Sequence, residues 1–369
     1  MQTPRTRPPT FLEARGLRQQ ARTAGLHPDY WYAVEHSHAL RRGQVQEVRF
    51  WGRSFALYRG QDGVVRALEN RCAHRRLKLS HGEVQGCNLT CIYHGWTYAP
   101  DGTVISFAHE LFGKPMPTFR IGSFPVRERY GLIWLFPGDP AVSATRGIPD
   151  IPELEGPRRW ACVPISLRLR CHHSMLIENI CDFTHAYLHR KTRPFIDAKL
   201  TRYEAQPERV VVEYDTLVGA GPIARLFVDR KRVRTDHMVL AYEYPYQWSN
   251  TGDRIKSWCF VLPEDESHCR AFFLFYFDAL KIPFTSVPIP QWLLTYVLKV
   301  ANRVLIGPIL AEDAFAVEAE QEGWELHHDA PAAELNPAMV EFQQLTVRRW
   351  QEYLEAASRR SMVKAQVQP

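Results

Sequence analysis

The chain is predicted to fold as α+β, a small all-β domain followed by a larger domain of helices on an antiparallel sheet. Three observations carry this expectation. The length, 369 residues, exceeds what a single core usually serves. From about Asp29 to Pro140, short runs of alternating apolar and polar residues are separated by Gly, Asp and Pro turn signals. Beyond residue 160, longer runs rich in β-branched and aromatic residues are mixed with helical periodicity.

In the first half, EVRFWGRSFALYRG and GVVRALEN flank the turn signal GQDG. TYAPDGTVIS turns at its Asp-Gly, and RYGLIWLFPGDP ends the run with an apolar strand and a Pro/Gly stop. The aperiodic stretch 141–159 is the expected join. The first domain is placed at 27–145 and the second at 160–358, with tails at 1–26 and 359–369. In the second domain HSMLIENICDFTHAYLH has a helical pattern, and RVVVEYDTLVG, HMVLAYEYPYQW, RIKSWCFVLPE and CRAFFLFYFDAL read as successive strands. Two helices are expected around 291–325 and 337–358.

Composition narrows the function. Apolar residues at 45% and charged residues at 23% suit an ordinary globular protein. A net charge of +6, spread along the chain, does not argue for nucleic acid. The first 26 residues lack the apolar core of a secretory signal and read as a loose tail. The eight cysteines are scattered, so free or metal-bound thiols in a reducing cytoplasm are expected. The apolar stretch Ile289 to Leu310 is interrupted by Lys299, Asn302 and Arg303. It reads as a buried or pocket-lining helix, with membrane contact at most peripheral.

Cys72-x-His74 is followed, after 16 intervening residues, by Cys91-x-x-His94. Two such pairs in two short loops can hold two iron atoms, one through both thiolates and the other through both imidazoles. That mixed ligation is the Rieske [2Fe–2S] arrangement, whose neutral histidines raise the reduction potential. A structural zinc site would use different spacing. Cys87 and His81 lie nearby but outside the pattern.

The surrounding residues resemble Rieske non-haem iron oxygenases: Arg75, Gly82, and YHGWTY with Gly95 and Trp96. The loops CAHRRL and CIYHGW lack the extra cysteines of respiratory Rieske proteins.

A second constellation lies in ENICDFTHAYLHR. On a helix, Asn179, Asp182, His185 and His189 share one face, and two imidazoles four residues apart can bind one metal ion. With a carboxylate they form the facial triad that leaves positions open on Fe(II) for O2. The segment is similar to the family's Asn-x-x-Asp-x-x-His followed by a second His. Its three-residue gap between histidines is shorter than most members', and is shared with carbazole dioxygenase, whose layout is also similar. A metal-bound imidazole wants a carboxylate on its far nitrogen. By resemblance, Asp182 connects His94 of one subunit to His185 of the next, which implies a head-to-tail homotrimer. LAEDAFAVEAEQEGWE resembles the family's late acidic helix. This makes Asp313 the third ligand, with Glu312 and Glu318 as rivals.

The resemblance implies a START-like, helix-grip catalytic domain and a hydroxylation at mononuclear Fe(II) that consumes O2. A monooxygenase acting on a hydrophobic small molecule, polycyclic or terpenoid, is expected. A cis-dihydroxylating dioxygenase or oxidative demethylase is the alternative, and an electron-transfer Rieske protein without mononuclear iron is the alternative from another class. The chain carries no G-x-G-x-x-G fingerprint. NAD(P)H is therefore expected to be oxidised on a separate reductase, directly or through a ferredoxin. Arg71, Arg75, Arg76 and Lys78 either dock such an acidic donor or are ordinary surface charge.

Overall fold

The structure, a computed structural model, describes residues 7–113, 118–156, 160–218, 234–278 and 289–367. It resolves into two compact units, one of residues 27–149 with 262–265, the other holding the remainder. Residues 157–159 of the expected join and the last two residues of CRAFFLFYFDAL lie outside the described residues.

The smaller unit is all-β. Its strands are β1 (Tyr32–His36), β2 (Val45–Phe50), β3 (Arg53–Arg59), β4 (Val65–Glu69), β5 (Glu83–Gln85), β6 (Asn88–Thr90), β7 (Thr97–Tyr98), β8 (Val104–Ser106), β9 (Ser123–Phe124), β10 (Val126–Arg129) and β11 (Leu132–Leu135). They form three antiparallel sheets, ordered β1-β11-β10, β2-β3-β4-β9 and β5-β6-β7-β8. The run EVRFWGRSFALYRG is itself a hairpin. It turns at Trp51 and Gly52, which take φ of 46° and 74°, the left-handed pair a tight two-residue turn requires. Tyr58, Leu68, Leu79, Leu89 and Tyr98 form a buried cluster behind the two Cys–His loops.

The larger unit holds seven antiparallel strands: β12 (Ala161–Leu169), β13 (Phe195–Gln206), β14 (Arg209–Val218), β15 (Arg234–Glu243), β16 (Tyr246–Thr251), β17 (Ile255–Pro263) and β18 (Cys269–Phe277). Their order is β12-β18-β17-β16-β15-β14-β13. Strands adjacent in sequence, β12 and β13, therefore lie at opposite edges of the sheet, and the chain between them must cross it. That crossover carries ENICDFTHAYLHR. The helices are α1 (Leu17–Ala21), α2 (Pro152–Glu155), α3 (His173–Cys181), α4 (Gln291–Ala301), α5 (Gly307–His327) and α6 (Pro337–Val367). Nearly all of α3 is buried, His173 through Glu178 and Cys181, as expected of a helix enclosed by its own domain.

Three expectations are corrected. Residues 17–26 are no loose tail: α1 ends on Ala21, and Ala21, Ala24 and Leu26 are all fully buried in the larger unit. The physical reason is Arg22, whose buried guanidinium pairs there with the buried carboxylate of Glu178 and the partly exposed one of Glu320. The C-terminal helix continues through the expected tail to Val367. The helix expected over 291–325 is interrupted by a π-turn at Asn302–Ile306, just before Pro308, which cannot donate a helical N–H. Leu294 and Leu298 on α4 pack on Ala161 and Val163 of β12, while Tyr296 and Val300 face outward. Among the described residues no helix is long and apolar enough to cross a membrane.

Candidate metal centres

The two Cys–His loops share one backbone design. In the first, the Cys72 N–H donates to the Leu77 carbonyl at 2.8 Å and the Arg76 N–H to the Cys72 carbonyl at 2.9 Å. In the second, the Cys91 N–H donates to Trp96 at 2.8 Å and the Gly95 N–H to Cys91 at 3.1 Å. Each turn closes through a left-handed residue four places after its cysteine, Arg76 at φ 62° and Gly95 at φ 68°. Gly95 adopts that conformation freely, whereas Arg76 is strained. Asn70 locks the first loop, donating to Ser54 and Ser80 and accepting from the Ser80 N–H at 2.7 Å.

The loops can approach because of Gly82. A Cβ there would meet the Thr90 carbonyl oxygen at 2.2 Å. Gly82→Ala must separate the two loops, and its expected cost is about 1–3 kcal/mol, with visible iron–sulfur absorption lost in proportion. Unchanged absorption and melting temperature would contradict this account.

Cys72 and Cys91 are buried, and His74 and His94 are exposed. The two imidazoles stand 4.6 Å apart edge to face, and His74 stacks on Trp96 at 5.1 Å. Burial raises the Cys91 thiol, as does the neighbouring Cys72. Local desolvation lowers His74, reinforced by His94 and Arg75, which suits a neutral ligand. Two buried sulfurs below two outward imidazoles fit a [2Fe–2S] cluster of mixed ligation. Tyr98, kept protonated by burial, donates its OH to Cys72 Sγ at 3.1 Å. A donor to a cluster sulfur favours the reduced form, so Tyr98→Phe is expected to lower the reduction potential by roughly 60 mV, read by redox titration. Cys87 bonds to Asp62 at 3.2 Å and His81 is exposed, so neither joins the cluster loops. Arg71 and Lys78 are engaged by Glu69 and Glu47, which leaves Arg75 and Arg76 as the cations beside the histidines.

At the second constellation the continuous helix expected through His189 is not formed. α3 ends at Cys181, and Asp182 is extended at φ −105° and ψ 94°. A tight turn follows at Phe183–Tyr187, with His185 off helical geometry. The cause is Asp182: its Oδ1 accepts from the Thr184 N–H at 2.9 Å and the Thr184 hydroxyl at 2.7 Å, so the side chain supplants the helical bond. Asn336 donates to the same Oδ1 at 3.1 Å and to Tyr214 OH at 2.9 Å, while its own Oδ1 caps α6. Asn179 sits half-buried on the last turn of α3, outside the group described next.

The break swings His185 and His189 toward α5. Asp313 Oδ1 lies 3.5 Å from His185 Nε2 and 3.3 Å from His189 Nε2. Among the described residues these three form the group able to hold a metal ion. The other ring nitrogens fix the tautomers. His185 Nδ1 donates to the Asp182 backbone carbonyl, and His189 Nδ1 to Glu312 Oε2 at 2.8 Å. Both Nε2 lone pairs therefore face Asp313 Oδ1, which is buried and makes no hydrogen bond. Three converging lone pairs call for a cation, and two imidazoles with one carboxylate suit Fe(II). Burial lowers His185 despite Asp313. At His189 burial also opposes the charge, but the carboxylates of Asp313 and Glu312 outweigh it and raise the group. Phe195 closes one side, its ring 5.8 Å from His185 and 5.5 Å from His189. Glu318 is elsewhere, accepting from the Arg170 N–H at 3.0 Å.

Paired Cys–His loops in one unit and a two-histidine, one-carboxylate group in the other are the layout of an iron-dependent oxygenase with two metal centres. The family model of the Rieske [2Fe-2S] domain matches residues 30–114, and that of the vanillate O-demethylase oxygenase C-terminal domain matches 169–357. The chain belongs to the Rieske non-haem iron oxygenases, O2-dependent oxidoreductases with a [2Fe–2S] cluster and a non-haem iron. It is 43% identical over 345 residues to the 4beta-methylsterol monooxygenase of Methylococcus capsulatus, covering 93% of each chain. It is 38% identical to the dicamba O-demethylase oxygenase component of Stenotrophomonas maltophilia, over 46% of this chain and 47% of that one. A crystal structure of dicamba monooxygenase bound to dicamba shares the fold, with a TM-score of 0.69, 24% identity, and coverage of 90% of this chain and 100% of that chain.

Sequence reading missed Tyr98, Asn336 and Arg22, and took Glu312 only as a rival ligand. A tyrosine two residues after the Trp of the second loop was a readable signal for Tyr98. Asn336 and Arg22 act across 154 and 156 residues of chain respectively, which no local pattern reveals.

Proposed function

We propose that the chain is the oxygenase component of a methyl-group monooxygenase acting on a sterol or similar polycyclic terpenoid. The observation that carries this reading is the 43% identity, over 93% of both chains, to a 4beta-methylsterol monooxygenase. An apolar target agrees with the aromatic wall that Phe195 and Phe183, 4.5 Å apart, raise beside the histidines.

In this reading Cys72, His74, Cys91 and His94 hold the cluster, and His185, His189 and Asp313 hold the mononuclear iron. Together the bound metals supply one-electron transfer and O2 activation. Glu312 holds the Nδ1 proton of His189, and the Asp182 backbone carbonyl holds that of His185, so each imidazole presents its lone pair inward. Phe195 keeps water from one side of the donors. Asp182 connects His185, held at its backbone carbonyl, to His94 of a neighbouring subunit in a head-to-tail homotrimer, its carboxylate anchored at Oδ1 by Thr184 and Asn336 and reaching toward that neighbour. Electrons come from NAD(P)H through a separate reductase, with or without a ferredoxin, and Arg75 and Arg76 offer it a cationic rim. A cytoplasmic location agrees with this donor.

The test is turnover of the purified chain with a reductase–ferredoxin pair, a 4β-methylsterol and isotopically labelled O2. A product carrying one labelled oxygen on the methyl carbon supports the proposal. No sterol product, with O-demethylation of an aromatic methyl ether instead, would favour the second reading, an oxidative demethylase. That reading draws on the family model matched by residues 169–357.

A further inference from the structure

The segment before the cluster unit sends one buried cation into the catalytic unit. Arg22 is 4% exposed. Its Nη1 donates to Ser174 Oγ at 2.8 Å and to Glu178 Oε1 at 2.5 Å, and its Nη2 to Glu178 Oε2 at 2.7 Å and Glu320 Oε1 at 2.8 Å. The backbone beside it is also tied down: His173 Nε2 donates to the Ala24 carbonyl at 2.7 Å. Gln19 donates to the His328 carbonyl at 3.1 Å.

The partners' placement gives this contact its meaning. Glu178 lies on α3, seven residues before His185, and Glu320 lies on α5, seven residues after Asp313. Seven residues are about two helical turns, so Glu320 shares a face of α5 with Asp313. One guanidinium thus joins the helix that leads to both histidines with the helix that bears the carboxylate. Arginine's planar fork can engage one carboxylate through two nitrogens while reaching a second, and lysine's single ammonium cannot. Without the cation, the buried carboxylate of Glu178 on α3 would be left unpaired and would face the partly exposed carboxylate of Glu320 on α5, which pushes the helices apart.

We propose that Arg22 is a positioning residue for the mononuclear site, setting the α3–α5 spacing at which His185, His189 and Asp313 converge. This rests on the reading that those three residues hold the iron. Arg22 touches none of them and acts through Glu178 and Glu320.

The test uses full-length protein with its cluster intact and the second site stripped by a chelator. Co(II) is titrated in and followed by its ligand-field absorption, while the cluster spectrum, from a separate unit, serves as internal reference. Arg22→Met is expected to weaken Co(II) binding at least tenfold with the cluster spectrum unchanged, and Arg22→Lys to fall between it and the parent. The double variant Arg22→Met/Glu178→Met removes the stranded buried charge. It should recover thermal stability without recovering Co(II) affinity. Parent-like affinity in folded Arg22→Met or Arg22→Lys protein would overturn the proposal, as would joint recovery of stability and affinity in the double variant. His189→Ala separates the premise: if it binds Co(II) like the parent, the ligand assignment itself is wrong.

Discussion

Asp313→Ala is expected to lower the iron content from about three atoms per chain to about two, leaving the cluster spectrum intact and abolishing substrate oxidation. The loss follows from geometry: among the described residues, Asp313 Oδ1 is the carboxylate oxygen to which both inward Nε2 lone pairs point, and two imidazoles alone make a weak Fe(II) site. Glu312→Gln is the contrasting substitution. Glu312 sits on the far nitrogen of His189, so its loss should weaken metal affinity by about 10- to 100-fold without removing a ligand. Iron analysis at limiting and at saturating Fe(II) separates the two. Full iron content in Asp313→Ala together with loss in Glu312→Gln would exchange the two assignments.

Asp182→Asn should retain both metal centres and still reduce multiple-turnover oxidation by a factor of about 100 or more, roughly 2.7 kcal/mol on the barrier. Asparagine keeps the Oδ1 acceptor for Thr184 and Asn336, so the break after α3 survives and only the carboxylate charge is lost. Asp182→Ala also removes the cap, worth about 1 kcal/mol, and should lower the melting temperature as well. The discriminating measurement is the rate at which a pre-reduced cluster is reoxidised in the presence of O2 and substrate. A parent-like rate in Asp182→Asn, with full metal content, would remove Asp182 from the electron route. Sedimentation of the parent protein tests the trimer that this route requires.

Much of the cluster unit was legible in residue order because its signals are local. The two Cys–His pairs lie within 23 residues, and each sits in a short loop that turns through one left-handed residue, Arg76 or Gly95. The seven-stranded sheet was partly legible. β14, β15, β17 and β18 carry apolar or aromatic runs, but β13 is a mostly exposed edge strand, FIDAKLTRYEAQ, with only its first residue buried. An edge strand with few buried positions leaves little periodic signal.

The histidine segment marks the limit of local reading. Four polar residues at spacings of three, three and four suggest one regular helix, and that pattern was enough to select His185 and His189. Asp182, by capping Thr184, breaks the helix instead. A side chain that competes with the backbone for its own hydrogen bonds cannot be recognised from periodicity.

Residue order alone therefore established the α+β architecture, the two Cys–His pairs and the paired histidines, because each depends on groups close together in the chain. Resemblance to the family's late acidic helix pointed to Asp313 over Glu312 and Glu318, but the physical choice is made on folding, since an acidic helix presents several carboxylates and packing against the crossover turns Asp313 toward both histidines. The same holds for Arg22. Nothing in a basic, proline-rich N-terminus foretells a buried ion pair, because its worth depends on carboxylates 156 and 298 residues away and on the desolvation they share.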